Sequence, residues 1–268
     1  MGDTKSPIVT LITDFGEGHY AGAMKGALLE VAPEVRIVNI SHQVRSHDVL
    51  EGAFTLLCSY PYFPAGSIHV VVVDPGVGSE RRGIVVSAGG HHFVGPDNGV
   101  FSLVYRRQPD RSVVSISRER FFRQPVSNTF HGRDIFAPVA GWLARGTPPE
   151  DLGEQIQDYF SLPIPSVERL GPNRLRGTVL HVDKFGNIIT DLSPDDVSQL
   201  EGKGSPWFQV NGSKITDHYR FYAEAPSGRP FSLVGSCGYY ELAVAGQSAA
   251  QLLGIQPGAR IEMELAGE

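Results

Sequence analysis

Residues 67–73, Ser67-Ile68-His69-Val70-Val71-Val72-Val73, form a nearly unbroken β-branched and apolar run. A strand with one wet face alternates polar and apolar side chains, whereas a strand covered on both faces does not need to. This run therefore predicts a central strand of a parallel sheet, with helices packed on either side. The neighbouring segments agree. Residues 8–13 read as a strand, a loop follows over 14–20, and residues 21–31 carry small and apolar residues at helical spacing until Pro33. Residues 35–40 predict a second strand. Residues 48–60 predict a second helix, N-capped by Asp48 and stopped at Pro61. Residues 83–88 and 92–94 continue the sheet, and residues 135–144 predict another helix. Strands alternating with helices give an α/β N-terminal domain with a mostly parallel central sheet.

After Pro163-Ile164-Pro165 the texture changes. Residues 174–182, 188–191, 207–210, 214–215, 232–234, 240–244 and 260–264 read as short strands punctuated by Gly, Asn, Asp and Pro. That pattern predicts a smaller C-terminal β-barrel or sandwich. The expected domains are residues 1–165 and 172–268, with no internal repeat.

Charge and length exclude several functions. The chain has 268 residues, of which 41% are hydrophobic and 19% charged, and a formal net charge of -6. That composition is globular, and no basic cluster offers a nucleic-acid footprint. Residues 68–73 are the longest apolar run and are far too short to span a bilayer. Asp3 and Lys5 precede the first strand, so no signal peptide is expected. Two cysteines, Cys58 and Cys237, support neither a disulfide framework nor a cysteine metal site, and a cytoplasmic location is expected. Residues 1–6 fit a myristoylation pattern and Asn211-Gly212-Ser213 a glycosylation pattern, both read as chance.

Ligand sites of open α/β sheets lie outside the carboxyl ends of the strands. Three polar clusters fall there: Thr13-Asp14-Phe15-Gly16, Asp74-Pro75-Gly76-Val77-Gly78 with Arg81 beyond it, and Asn128-Thr129-Phe130-His131-Gly132-Arg133-Asp134. Each has a plainer reading. Asp14 alone caps the next helix, Asp74-Pro75-Gly76 alone is an Asx turn, and His131 alone is a structural histidine. Three clusters converging on one sheet edge shift the balance toward a site. The glycines of the second cluster lack the Lys-Ser/Thr of a phosphate loop. Metal binding is not expected, since His91 and His92 are adjacent and face opposite ways in a strand.

These segments, with Gly95-Pro96-Asp97-Asn98-Gly99, Asp183-Lys184-Phe185-Gly186-Asn187-Ile188-Ile189-Thr190 and Ser236-Cys237-Gly238-Tyr239-Tyr240-Glu241-Leu242-Ala243, run in one order along nearly the whole chain. Together they resemble the S-adenosyl-L-methionine hydroxide adenosyltransferase family, relatives of the fluorinases and chlorinases. The resemblance implies an α/β domain followed by a β-barrel, and a homotrimer whose active sites lie between neighbouring subunits. It implies hydrolysis of S-adenosyl-L-methionine at C5′ to adenosine and L-methionine, with no cofactor. Asp74, Arg81 and His131 match the catalytic set. Asp14 matches the residue binding the ribose hydroxyls, Asp183 the methionine ammonium, Ser236 the methionine carboxylate, and Asn187 the adenine. Phe185 would line that subsite and Tyr222 would stack on the base, whereas by itself Phe185-Gly186-Asn187 reads as a β-turn.

The chemistry suits those types. A sulfonium leaves as a neutral thioether, so the demanding part is the nucleophile. A fixed guanidinium stabilises a hydroxide-like oxygen, Asp74 balances its charge, and His131 is the expected acceptor of the water's proton. The chain departs from the halogenases where they carry a halide-binding Ser and it has Gly132, and where the fluorinase has a Tyr and it has Asp74. A carboxylate at that position repels halide. It departs from the fluorinase again at His47 and Cys237, and at Ala245 from many relatives, which have an Asn there. The alternatives are halide-dependent adenosyl transfer and a non-catalytic sensor of S-adenosyl-L-methionine or adenosine.

Overall fold

A computed structural model describes residues 6–202 and 204–265. Asp3, Lys5 and most of the myristoylation pattern lie outside the described residues. The chain divides into two compact units, Met1–Leu162 and Pro163–Glu268.

Unit 1 holds a seven-stranded sheet. Its strands are β1 (Ile8–Thr13), β2 (Arg36–Ser41), β3 (Ile68–Val72), β4 (Gly83–Ala88), β5 (His91–Pro96), β6 (Arg111–Ile116) and β7 (Gly153–Gln155), in the order β2-β1-β3-β5-β4-β6-β7. Its helices are α1 (His19–Val31), α2 (Val49–Ser59), α3 (Ser102–Arg107) and α4 (Ala137–Ala144). Every residue of β3 is buried, as its composition predicts. Val9, Leu11, Val70 and Val72 pack with Met24 and Leu28 of α1 and Val139 of α4. Val73 packs instead against Gly52 of α2, where an added Cβ would sit 3.0 Å from its methyl group. The Asp48 side chain accepts the Glu51 N–H and caps α2.

The expectation of a mostly parallel sheet needs correction. The pairs β2–β1, β1–β3 and β3–β5 are parallel, but β5–β4, β4–β6 and β6–β7 are antiparallel. The sheet is mixed. The cause is the short connection at Gly89 and Gly90, at φ of 56° and 79°. Two residues with positive φ make a hairpin turn, and a parallel pair needs a crossover of a dozen residues or more.

Unit 2 is an eight-stranded, nearly closed antiparallel sheet. Its strands are β8 (Glu168–Gly171), β9 (Arg174–Val182), β10 (Ile188–Thr190), β11 (Pro206–Val210), β12 (Ser213–Ile215), β13 (Pro230–Val234), β14 (Tyr240–Val244) and β15 (Arg260–Leu265), with short helices α5 (Pro194–Ser198) and α6 (Ala249–Leu253). The order is β12-β11-β15-β9-β10-β14-β13, with β8 beside β9. Val179, Ile188, Phe208, Leu242, Ile261 and Met263 fill its interior.

Among the described residues no helix is long and apolar enough to cross a membrane. Neither Cys58 nor Cys237 is a free thiol, which corrects the expectation drawn from their number and removes its support for a reducing compartment.

One buried group ties the core of unit 1 to pH. His69, fully buried in β3, bonds through Nδ1 to Thr10 Oγ1 at 2.8 Å and through Nε2 to His91 Nδ1 at 3.2 Å. Burial, and then the neighbouring His91, push its pKa down to about 3. An unfolded histidine takes up a proton near pH 6.5, while the folded one stays neutral. The stability this neutrality confers is complete above pH 6.5 and is lost as pH falls toward 3, at about 1 kcal/mol per pH unit. Urea unfolding at pH 7 and pH 4.5 should show this slope in the wild type and a flatter one in His69→Gln. Equal slopes would remove His69 from the acid response.

Candidate active site

From β1 the chain crosses to β2 on one side and, through α2, to β3 on the other. β1 and β3 therefore flank a topological switch point, where a crevice opens beyond the carboxyl ends of the strands. Thr13 and Val72 are register partners at those ends, so Asp14 and Asp74 leave the sheet side by side. The cavity there has a volume of about 580 Å3 and is lined by Asp14, Asp74, His131 and Gly132, with His47 and the ring of Phe130.

Asp14 does not cap α1. The N-cap position is Gly18, with no side-chain bond, and Asp14 Oδ2 instead accepts the His47 N–H at 2.9 Å. His47 holds a left-handed φ of 68°, a conformation costly for a residue with a Cβ. Thr13 steadies this loop by bonding through Oγ1 to His42 Nδ1 at 2.8 Å.

Asp74, Arg81 and His131 are joined directly. Arg81 Nε donates to Asp74 Oδ1 at 2.9 Å, and Nη2 donates to Asp74 Oδ2 and, at 2.7 Å, to His131 Nδ1. The side chains of Asp74 and Arg81 are only 5% and 11% exposed. A guanidinium has donors and no acceptors, so His131 Nδ1 must be the unprotonated nitrogen and Nε2 carries the ring hydrogen. Burial, then the Arg81 charge, lower the His131 pKa, opposed by Asp74 and Asp134. The ring is held neutral with its lone pair already engaged. This geometry speaks against the expected role of His131 as the proton acceptor and makes it a donor through Nε2. The triad as a whole is electrically balanced.

The loop carrying His131 is anchored by the carboxylate at the end of its polar cluster, to which the sequence assigned no separate role. Asp134, fully buried, accepts the Ser127 N–H at 2.9 Å and both Nε and Nη2 of Arg133 at 2.7 Å. Those bonds outweigh its burial and hold its pKa low. The chain then passes through a π-helical turn, Gly132–Phe136, before α4. Such a turn adds a residue and is frequent where a side chain must be re-aimed at a site.

In unit 2 a second cavity, of about 840 Å3, is lined by Asp183, Phe185, Asn187 and Tyr222 with residues 244–248. Asp183 Oδ1 accepts the Phe185 and Asn187 N–H groups, and Oδ2 accepts from Asn187 Nδ2, all at 2.9 Å. Gly186, at φ 86°, closes the turn, and a Cβ there would collide with Ser248. The segment is thus a turn whose Phe185 and Asn187 also line the cavity. Phe185 is 67% exposed. Ser236 is not brought to this cavity: it sits exposed on the turn between β13 and β14. Missed by the sequence reading is Glu241, a buried carboxylate that accepts the Tyr222 hydroxyl at 2.7 Å. A charged residue amid an apolar strand was the signal that could have found it. Among the described residues no three His, Cys, Asp or Glu side chains group to hold a metal ion.

A mixed sheet with its switch-point crevice, followed by a separate antiparallel barrel, defines a two-domain α/β protein. The same fold occurs in the crystal structure of an uncharacterized conserved protein from Thermotoga maritima, with a TM-score of 0.87 and 30% identity over 95% of this chain and 99% of that one. The sequence then makes the assignment specific. Residues 9–153 match the SAM hydroxide adenosyltransferase N-terminal domain and residues 177–262 the C-terminal domain. The chain belongs to the SAM hydroxide adenosyltransferase family. It is 35% identical to a protein of Thermus thermophilus named (R)-S-adenosyl-L-methionine hydrolase, over 95% of this chain and 98% of that protein. A protein of the same name from Methanocaldococcus jannaschii is 38% identical over 74% of this chain and 72% of its own length.

Proposed function

We propose that the chain hydrolyses S-adenosyl-L-methionine at C5′, releasing adenosine and L-methionine. The observation that carries this is Arg81, bonded at once to Asp74 and His131 beside a cavity that also contains Asp14. The names of the relatives agree with it.

In the reaction a water oxygen bonds to C5′ as the C5′–S bond breaks, and the bonding pair stays on sulfur as a neutral thioether. Asp74 orients the water by accepting one of its hydrogens, and His131 Nε2–H donates to its oxygen. The water becomes strongly acidic only as the C–O bond forms, and the Asp74 carboxylate that orients it takes the proton at that stage. Holding water in line with the C–S bond supplies roughly 7–11 kcal/mol at most. The balanced charge of Asp74 and Arg81 lets a cationic sulfonium approach, and no cofactor is required.

Asp14 takes the two ribose hydroxyls on lone pairs left open by His47. Asn187 reads adenine, with Phe185 and Tyr222 against the base. Asp183 retains acceptor capacity on Oδ2 for the methionine ammonium, and Ser236, exposed on the β13–β14 turn outside the lining of this cavity, is assigned the carboxylate by analogy with the family alone. Three chains assemble, each active site combining unit 1 of one subunit with unit 2 of its neighbour. Halide is disfavoured because Asp74 faces the nucleophile position, and because Gly132 offers no hydroxyl where the halogenases carry a Ser.

The test is turnover in oxygen-18 water with and without chloride. Label should appear at the 5′ oxygen of adenosine, and chloride should have no effect on the rate. Adenosine without label would end the hydrolytic mechanism. A chloride-dependent product would mean halide transfer, and tight binding without product would mean a sensor.

A further inference from the structure

We infer that Glu241 and Tyr222 are positioning residues that occupy the second amide hydrogen of Asn187 and leave only its oxygen to a ligand, so that the unit 2 cavity selects a 6-amino purine over a 6-oxo purine. The inference rests on the assignment of adenine to this cavity and goes beyond it.

The bonds have one consistent direction. Asp183 Oδ2 accepts from Asn187 Nδ2 at 2.9 Å, which fixes the side of the amide on which nitrogen lies. The second Nδ2 hydrogen goes to Tyr222 Oη at 3.3 Å. Tyr222 must then send its own hydrogen elsewhere, and Glu241 Oε2 receives it at 2.7 Å. Both hydrogens of the amide are spent, and Asn187 Oδ1 has no protein donor among the described residues. The group left for a ligand is an acceptor. It matches the exocyclic N–H of adenine and repels the carbonyl oxygen at the same place on hypoxanthine.

Glu241 is costly where it stands. It is 8% exposed, on the face of β14 that carries Ala243 of a small apolar cluster with Phe231 and Leu233. Its carboxylate occupies the space over Gly235, where any Cβ would overlap Oε1. An apolar residue would pack there without a desolvation penalty, so packing alone does not account for a carboxylate. Orientation of the Tyr222 hydroxyl does.

The test is calorimetric binding of adenosine and of inosine to the full chain and to Glu241→Gln and Tyr222→Phe. The wild type should prefer adenosine by roughly tenfold or more, and either variant should lose about tenfold of that preference. A glutamine can donate as well as accept, so the Tyr222 hydroxyl loses its single direction, and Tyr222→Phe deletes the relay while keeping the ring. If both variants weaken the two nucleosides by one common factor, the pair is merely structural and the inference fails. If the wild type binds adenosine and inosine equally, the amide is not locked and it fails as well. A wild type that binds neither nucleoside would instead overturn the adenine assignment beneath it.

Discussion

Asp74→Asn should lower kcat by about a thousandfold or more, while adenosine still binds with near wild-type affinity. On the proposed mechanism the substitution removes the proton acceptor. It also leaves the Arg81 guanidinium, 11% exposed, with an unbalanced charge that repels the sulfonium. A buried charge stripped of its partner costs about 3–5 kcal/mol, so thermal unfolding should shift as well, and single-turnover measurements below the new midpoint separate chemistry from folding. His131→Ala deletes a donor and not the acceptor, and its loss should be smaller, about a hundredfold. An Asp74→Asn enzyme within tenfold of wild type would remove this carboxylate from the chemistry. A larger loss in His131→Ala than in Asp74→Asn would return the proton to the histidine.

The second expectation concerns geometry. Gly78 has a φ of 79°, and a Cβ built there lies 2.3 Å from the carbonyl oxygen of Asn128. The obstacle is backbone, which no rotamer change relieves. Asn128 is three residues from His131, so the Asp74 loop and the His131 loop approach through this glycine. Gly78→Ala should destabilise unit 1 by about 4 kcal/mol or more, combining left-handed strain with the clash. Any folded fraction should lose activity because the Arg81–His131 bond of 2.7 Å is pulled open. Denaturant titration and kcat on the soluble fraction check this. A variant of wild-type stability and rate would show that the loops do not depend on their contact.

Much of the fold was legible, and the reason is local. The run at residues 67–73 has the composition of a strand buried on both faces, and β3 is buried at every position. Asp48 has a side chain suited to an orphan N–H, and it caps α2. Sheet direction was not legible in the same way. Alternation and β-branching report burial, not polarity of pairing, and the Gly89-Gly90 connection that makes β4 and β5 antiparallel is a matter of two φ angles.

For the site, polar clusters at the carboxyl ends of the strands already marked Asp14, Asp74, Arg81 and His131 as candidates, and the roles given to them came from the family resemblance they helped to carry. Proton positions and bond directions required the folded molecule. That Arg81 engages His131 at Nδ1, that Asp14 is tied to His47, and that Tyr222 gives its hydrogen to Glu241 each depend on atoms many residues apart being brought within 3 Å. Spacing along a chain encodes the local turn, whereas the direction of a hydrogen bond is set by whatever the rest of the fold packs against it.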